Sequence, residues 1–392
     1  MVSVLLQLPS AVPHQVTRHI KPAVERELWA RAAGRCEFPA CNRLLYKSPV
    51  TQERVNIAER AHIYSFSPRG PRGRGPHKKN TAGLNSTANL MLVCHDCHKT
   101  IDTDKEGKRY SGELLKTWKQ DHEMRITRVT AIGPARKSHL LLYGSKIGEQ
   151  HSPLHPDAAV EAMFSDRRFP AQELPLALSL KYEHEDRNDS FWPTEAQHLR
   201  SSFERQVVPL INESPSIHFS LFALADMPLL MLLGSLFTDK VAVEVYQRHR
   251  EPATWGWPST RANGVDFRLR APAKARGTPV LVVSLSGKIR ADRITAVLGR
   301  KAAIWELSIA DCHNDFLRSR PLLAKFRTAL RKTMVAINAA HGNGTPLHIF
   351  PAMPVACAVE FGRVRMPKAD MPWIIYDENR KRGQFTKALE IK

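Results

Sequence analysis

Two histidines and an asparagine stand beside a pair of cysteines in residues 59–102, and their types suit hydrolysis of a phosphodiester. His62 lies at the end of a predicted strand, Asn89 follows a long loop, and His98 stands near the start of a predicted helix. A neutral imidazole can take a proton from water near pH 7. We therefore interpret His62 as a general base that Asn89 orients by hydrogen bonding. The alternative is an ordinary core or surface histidine, but this order and spacing favour catalysis.

A divalent metal site is predicted on the same helix. His98 and Asp102 are four residues apart, which places them on one helical face. An imidazole nitrogen and a carboxylate oxygen can hold Mg²⁺, or Mn²⁺ or Ni²⁺ in its place, against a phosphate. For Asp102, a capping or surface role is the alternative.

Four cysteines form two close pairs at metal-ligand spacing. The pairs are Cys36-x4-Cys41 and Cys94-x2-Cys97. Zinc prefers four soft ligands in a tetrahedron, and such pairs supply them. We predict a structural zinc site, because no ligand position is left open for water. Cys312 and Cys357 are isolated and are predicted to be small core residues.

A basic loop joins His62 to Asn89, and the whole chain carries a net charge of +20. Residues 1–130 hold 22 Lys and Arg against 12 Asp and Glu, half of that excess in a third of the chain. Such a balance favours an anionic partner, and phosphate contacts give affinity without reading sequence. The alternative is a solvated loop. We predict DNA-backbone contacts from five loop residues: Arg69, Arg72, Arg74, Lys78 and Lys79.

The elements around these residues predict a small α+β domain in the first third of the chain. Residues 23–33 have the pattern of a helix that ends at Gly34, 53–66 contain the strand with His62, and Ser111 caps a second helix. Residues 1–22 are predicted to be an arm, and 131–172 a connection between domains. No apolar run approaches the roughly 18 to 20 residues of a membrane helix. The sparse cysteines fit a reducing cytoplasm.

From residue 173, short apolar strands alternate with amphipathic helices, which predicts α/β layers with a largely parallel sheet. Two stretches repeat one pattern, in which a strand leads through a proline into an apolar helix that reaches a glycine. They begin at His218 and His348. This suggests a duplicated half-domain, and chance similarity between two βα units is the alternative. The predicted strands are 175–182, 217–224, 241–246, 279–285, 303–309 and 346–350. The predicted helices are 194–210, 227–237, 290–299, 316–340 and 353–362.

Residues 23–130 resemble an HNH endonuclease domain of the four-cysteine zinc type, a ββα-metal fold. The resemblance assigns the general base to His62, the family asparagine to Asn89 and the metal-binding histidine to His98. Many HNH enzymes carry Asp or His just before the base as a further metal ligand. Here that position is Ala61, so the metal depends on His98, Asp102 or ligands from elsewhere.

Residues 173–392 resemble a SAVED domain. The resemblance is carried by the segment from Phe222 to Pro228, by Tyr246 with its neighbours, by Trp255-Gly256-Trp257, and by the segment from Phe350 to Pro354. It implies two fused Rossmann-like (CARF-like) halves that sense a cyclic oligonucleotide, and we expect a cyclic dinucleotide in preference to a trinucleotide.

An HNH domain followed by SAVED resembles the effector nucleases of CBASS anti-phage systems. The resemblance implies that a second messenger made during infection binds SAVED, that the protein assembles from dimers to tetramers, and that HNH domains degrade double-stranded DNA with little sequence preference. It also implies a cytoplasmic protein without a membrane partner.

A nucleotide ligand needs aromatic faces for bases and donors for phosphates. The predicted stacking residues are Tyr246, Trp255 and Trp257, and the predicted phosphate contacts are Arg250, Arg363, Arg365 and Lys368. The helix starts after Pro228 and Pro354 add N–H donors. Core packing is the alternative for each ring, and a solvated charge for each basic residue.

Two other functions stay open. One is a restriction-type HNH nuclease whose C-terminal domain recognises DNA. The other is a non-catalytic zinc-containing DNA-binding adaptor, in which Ala61 marks a decayed site.

Overall fold

The computed structural model describes residues 19–145, 154–179, 190–214, 216–258, 264–379 and 383–392. The chain divides into two compact units, residues 1–133 and 134–392. Most of the predicted arm, residues 1–18, lies outside the described residues, as does the end of the strand predicted at 175–182.

The first unit is built on a two-stranded antiparallel sheet followed directly by a helix. In β1, Ala58 lies opposite Cys94 of β2, and His62 lies opposite Leu90. The elements of this unit are α1 (Pro22–Ala32), β1 (Ala58–His62), β2 (Leu90–Cys94), α2 (His95–Thr103) and α3 (Gly112–Thr130). The predicted cap of α3 is confirmed, because the Ser111 hydroxyl accepts the Leu114 N–H at 3.2 Å.

A small apolar core holds these elements together. All five residues of β2 are buried, and they pack with Leu28 of α1, Ile101 of α2 and Leu115 of α3. Because every residue of β2 is buried in this core, the packing fixes the positions of both ends of the strand. Cys94 therefore leads into α2 at one end and Asn89 precedes the strand at the other.

The second unit begins with a parallel sheet in the order β4-β3-β6-β7, with β5 also paired to β3. Its elements are β3 (Lys137–Gly144), α4 (Pro156–Ser165), β4 (Phe169–Pro170), β5 (Leu176–Ala177), α5 (Phe191–Gln206), α6 (Val208–Glu213), β6 (His218–Leu224), α7 (Met227–Phe237) and β7 (Ala242–Tyr246).

A six-stranded sheet follows in the order β13-β12-β11-β9-β10-β8, with β9 to β12 parallel and the two edge strands antiparallel. Its elements are β8 (Arg268–Arg270), β9 (Thr278–Ser284), α8 (Ala291–Leu298), β10 (Ala302–Ser308), α9 (Arg320–His341), β11 (Leu347–Ala352), α10 (Val355–Val364), β12 (Trp373–Asn379) and β13 (Gln384–Ile391).

The two sheets share one order of elements, which agrees with the predicted repeat. In each, a central strand (β3 or β9) is followed by a helix, a strand on one side, and then a strand on the other side (β6 or β11) that leads into α7 or α10. The predicted α/β architecture with largely parallel sheets is confirmed. Successive strands switch sides at β3 and at β9, and in sheets of this kind ligands bind at the carboxyl ends of the strands beside such a switch.

Helices α7 and α10 pack against each other through glycine. A Cβ on Gly362 would lie 2.0 Å from the Met231 carbonyl oxygen, and one on Gly234 would lie 1.9 Å from the Val359 carbonyl oxygen. Neither position has room for a side chain, so the two repeated βα units meet at backbone contact.

The predicted connection at 131–172 is wrong, because β3 and α4 lie within it. β3 pairs with β6 along six residue pairs, and Leu141 and Tyr143 are buried. The boundary between the units follows Gly133 instead. Within the described ranges, no helix combines the length and apolar character needed to cross a bilayer.

Candidate functional site

The four paired cysteines converge at one point in the first unit. Cys94 ends β2, Cys97 lies in the first turn of α2, and Cys36 and Cys41 lie in the turn after α1. Their sulfurs all lie within 4.8 Å of one another, and those of Cys41 and Cys94 are 3.9 Å apart. Four sulfurs around zinc at a Zn–S distance of about 2.3 Å would be separated by roughly 3.8 Å. The set therefore fits a tetrahedral metal ion.

Glu37 attaches the first cysteine pair to β2. Its N–H donates to the Leu92 carbonyl at 2.9 Å, and its carboxylate accepts the Leu92 N–H at 2.7 Å. Burial raises the pKa of Glu37 to about 7, and the Lys119 ammonium 3.6 Å away opposes that shift. Burial also raises the pKa of the Cys36 thiol to about 12. A bound cation would instead hold this sulfur as a thiolate, which is how zinc is bound.

His62 lies half-buried at the end of β1, and its imidazole contacts Asn85. The distance from His62 Nε2 to Asn85 Oδ1 is 2.9 Å, while Asn85 Nδ2 donates to the His19 carbonyl at 3.3 Å. An amide oxygen only accepts hydrogen bonds, so His62 Nε2 carries the hydrogen and Nδ1 keeps its lone pair. The ring is thus held in one tautomer, with Nδ1 as the basic atom.

The predicted role of Asn89 as the partner of the imidazole is wrong, because its amide is used by the backbone. Asn89 is 1% exposed. Its Oδ1 accepts the Tyr64 N–H at 2.9 Å, and its Nδ2 donates to the carbonyls of Tyr64 and Leu84, both at 2.9 Å. These bonds fix the chain directly after His62. Asn85 and Asn89 lie in the same loop, so the sequence alone does not indicate which of the two amides contacts the imidazole of His62.

His98 and Asp102 lie together on α2, as predicted, and Glu59 of β1 joins them. His98 Nε2 is 3.4 Å from Asp102 Oδ2, and His98 Nδ1 is 3.9 Å from Glu59 Oε2. The hydrogen bond with Asp102 raises the pKa of the His98 imidazole. Burial opposes ionisation of Asp102, but hydrogen bonds from His98 and Arg72 lower the pKa of its carboxyl. One imidazole between two carboxylates is a donor set that fits a divalent cation.

The residues of the basic loop divide into exposed and inward-facing groups. Arg69, Lys78 and Lys79 are exposed, whereas Arg74 is half-buried and its Nε donates to the Phe66 carbonyl at 3.2 Å. Arg72 is different, because its side chain is 3% exposed and ion-pairs with Asp102. The prediction that Arg72 contacts DNA is therefore wrong, since its guanidinium is turned into the unit.

In the second unit, helix N-termini lie at the carboxyl ends of parallel strands. β6 leads into α7 through Asp226, whose carboxylate accepts the Ser145 hydroxyl of the neighbouring strand end at 3.1 Å. β11 leads into α10, and the Ala356 N–H near its start donates to Gln247 Oε1 at 3.1 Å. Backbone N–H groups at such ends suit anionic ligands.

Comparisons with known proteins address this unit. Residues 199–391 match the family model described as SAVED, the SMODS-associated and fused to various effectors sensor domain. The second unit contains a SAVED domain. No curated protein matches the chain.

Solved structures resemble the chain at low identity. Two are the Acinetobacter baumannii Cap4 SAVED/CARF-domain containing receptor with the cyclic trinucleotides 2'3'3'-cAAA and 3'3'3'-cAAA. Each is 11% identical to this chain, with TM-scores of 0.41 and 0.42, and the alignment covers 79% of this chain and 69% of theirs. The Moraxella osloensis Cap4 receptor is 12% identical over 79% of this chain and 68% of its own, with a TM-score of 0.35.

Two of the aromatic residues predicted to stack on a ligand belong to the core of the SAVED domain. Tyr246 and Trp255 are each 1% exposed. Tyr246 stacks on Phe222 with ring centres 4.2 Å apart, and Trp255 meets Phe222 edge-on at 5.3 Å. Their faces are covered by protein, so this part of the ligand prediction is wrong. Trp257 is half-buried and keeps an exposed part.

The predicted phosphate contacts also divide. Arg250 and Lys368 are exposed. Arg363 is 7% exposed and donates to Glu360 and to the backbone carbonyls of Thr238, Val241 and Val243. Arg365 is 6% exposed, with its guanidinium 5.4 Å from the Trp373 ring centre. Both buried arginines are structural residues here, which corrects their assignment as ligand contacts.

An arginine that sequence analysis missed connects the two halves of the second unit. Arg320 begins α9 in the second half, and its guanidinium bonds to Asp166 and Glu244 of the first half. It also lies over the ring of Trp257, at 5.6 Å from the ring centre. The only signal in the sequence is its place between Ser319, which caps α9, and Pro321.

Proposed function

We propose that this protein is a metal-dependent double-stranded DNA endonuclease that a cyclic oligonucleotide activates through the SAVED domain, in anti-phage defence of the CBASS type. One observation carries the proposal. In the first unit, the strand that ends at His62 and the helix with His98 and Asp102 bond to a single guanidinium, that of Arg72. The same chain continues into a sensor domain whose family is described as fused to various effectors.

In the proposed reaction, His62 Nδ1 takes a proton from the attacking water. Asn85 holds the ring in the required tautomer and direction. His98, Asp102 and Glu59 would hold Mg²⁺ or Mn²⁺, which when bound supplies stabilisation of the charge on the phosphate. Arg69, Lys78 and Lys79 are exposed in the loop that follows His62 and would bind the DNA backbone. Backbone contacts carry no base information, so we expect little sequence specificity.

Activation would come from binding of the cyclic oligonucleotide at the carboxyl ends of the parallel strands. The N–H groups at the starts of α7 and α10 that are not already bonded to protein would donate to phosphates, and Trp257 remains for contact with a base. The ligand can activate only if it binds the active assembly more tightly than the inactive one. We expect that assembly to be a homo-oligomer.

The test is cleavage of a plasmid in Mg²⁺ or Mn²⁺, with and without a panel of cyclic di- and trinucleotides. We expect one cyclic nucleotide to start cleavage, and His62→Ala to reduce it by about 10²- to 10⁴-fold, as for loss of a general base. Asp121→Ala is the control, because this exposed residue of α3 lies outside the proposed catalytic set.

Other outcomes identify the other functions. Cleavage without any cyclic nucleotide would support the nuclease activity and contradict the proposed activation by a cyclic nucleotide. DNA binding without cleavage in any divalent metal would support the zinc-containing adaptor. Tight DNA binding that survives replacement of Arg69, Lys78 and Lys79 by Gln would support a restriction-type enzyme that recognises DNA through its C-terminal unit.

A further inference from the structure

Arg72 lies in the basic loop, but its side chain differs from those of the other basic residues there in its burial. Four of its loop neighbours are Arg69, Arg74, Lys78 and Lys79, yet its own side chain is 3% exposed. We infer that Arg72 is a positioning residue that fixes the strand of the general base against the metal-binding helix. The inference rests on the proposed nuclease function and adds a residue to that site.

The guanidinium of Arg72 bonds to both elements at once. Toward the base, Nε donates to the Ile63 carbonyl at 2.6 Å and Nη2 donates to the His62 carbonyl at 3.2 Å. Toward α2, Nη1 donates to the Ile101 carbonyl at 3.1 Å and Nη2 donates to Asp102 Oδ1 at 3.0 Å. Since one nitrogen serves both His62 and Asp102, a shift of the guanidinium moves the two sides relative to each other.

These bonds leave too few donors for DNA. An arginine carries five N–H donors in a fixed fork, and a paired phosphate contact uses two that point the same way. Four of the five are committed to protein oxygens, so Arg72 cannot make that contact without releasing His62 or Asp102. Arg72 bonds to Oδ1 of Asp102, so the other carboxylate oxygen, Oδ2, is left to contact His98.

The backbone around Arg72 is built to hold it. Arg72 has a φ of +60°, which side-chain-bearing residues rarely adopt, and its N–H donates to the Lys105 carbonyl at 2.9 Å. Gly107, with a φ of +73°, lies against its side chain, and a Cβ there would be 2.8 Å from Arg72 Cγ. An unfavourable backbone conformation persists where surrounding contacts determine it. A residue that only binds DNA phosphates needs none of these contacts.

Lysine cannot replace this arginine, because an ammonium is a single charged point that cannot span four oxygens on two elements. The test therefore compares Arg72→Lys with the double variant Lys78→Gln/Lys79→Gln in the full-length chain. Activated cleavage gives kcat and KM for DNA. Duplex binding in buffer without added Mg²⁺ or Mn²⁺, at several salt concentrations and with no chelator, gives Kd and its salt dependence without cleavage.

We expect Arg72→Lys to lower kcat by about 10²-fold, as a misplacement near 1 Å can do, while KM, Kd and the salt dependence stay at wild-type values. The lysine double variant should weaken binding and lower the slope of log Kd against log salt by about two. If Arg72→Lys weakens binding and lowers the slope as a phosphate contact does, or leaves kcat unchanged, the inference is overturned.

Gly107→Ala provides a second route that keeps every charge. It displaces the Arg72 side chain and should lower kcat without changing Kd. Its control is Gly299→Ala, because Gly299 has a similar φ of +77° but a Cβ there meets no atom within 4 Å. If Arg72→Lys does not fold, this pair decides, and an unchanged kcat in Gly107→Ala contradicts the inference. The two failures are distinguishable. If the wild-type chain never cuts DNA, the proposed function is wrong. If the wild-type chain cuts DNA and Gly107→Ala leaves kcat unchanged, only the inference about Arg72 is wrong.

Discussion

Asn85 and Asn89 lie one short turn apart in the first unit and act on different parts of the His62 region. Asn85 bonds to the imidazole, whereas Asn89 is buried and bonds to the backbone of Tyr64 and Leu84. An amide on the ring affects which nitrogen is basic, while an amide on the backbone affects whether the segment folds. The two residues therefore separate catalysis from stability at this site.

We expect Asn85→Ala to lower kcat by about tenfold or more with little change in the free energy of unfolding, because the half-buried ring loses only its orienting acceptor. Asn89→Ala should lower the free energy of unfolding by about 3 kcal/mol, since three buried or half-buried backbone groups lose their partner. Urea unfolding and cleavage rates on both variants check this. Equal destabilisation by both would contradict the assignment.

Some of the site residues could be predicted from the sequence because they are neighbours along the chain. His98 and Asp102 are neighbours through helical spacing, and the two cysteines of each pair are close in sequence. Local geometry therefore brings the members of each pair together. Glu59, Asn85 and Arg72 reach the site from a strand and a loop. Their contacts depend on tertiary folding, which local spacing does not contain.

At the scale of elements, the glycine contact between α7 and α10 joins the two halves of the SAVED domain. The helices meet where Gly234 and Gly362 have no side chain, and the Cα of Gly234 lies 2.9 Å from a Cβ placed on Gly362. The obstructing atoms are backbone, which cannot rotate away as a flexible side chain can. The close packing of these helices thus depends on glycine at both positions.

We expect Gly362→Ala to destabilise the second unit by about 3 kcal/mol or more, at the upper end of overpacking effects. Gly344→Ala is the control, because a Cβ there meets nothing within 4 Å and its φ is not in the left-handed range. Urea unfolding of the full chain, followed by fluorescence of its tryptophans, measures the difference. Similar stability for the two variants would show that the helices separate at low cost.

The sequence located most strands and helices of the second unit within a few residues, because its buried parallel strands are continuous apolar runs such as that of β9. β3 was missed although it is the central strand of its sheet. Its apolar residues, from Leu140 to Tyr143, form a short run between polar residues, and the parallel partner β6 that covers it is about eighty residues away. Tyr246 and Trp255 were misassigned for a related reason, since aromatic residues near a strand end suit a core as well as a ligand.

At the scale of the whole molecule, each unit has its own apolar core, and the four-cysteine set belongs to the first unit alone. The core of the first unit is small. The cysteine set ties the turn after α1 to the junction of β2 and α2, so a metal there connects parts of the chain that are far apart in sequence. Metal binding in small domains supplies folding free energy directly.

We expect one zinc ion per chain by mass spectrometry, and its removal by a chelator should unfold the first unit while the second stays folded. Peptide-resolved hydrogen exchange checks this, with protection lost across α1 to α3 and retained in β9 to β12. Cys36→Ser should behave like the chelated protein. Cys312→Ser is the matched control, because this half-buried thiol donates to the Ser284 carbonyl, which a hydroxyl can also do. Full protection of α1 to α3 in a metal-free chain would mean that the four sulfurs pack without an ion, and that the first unit folds on its apolar core alone.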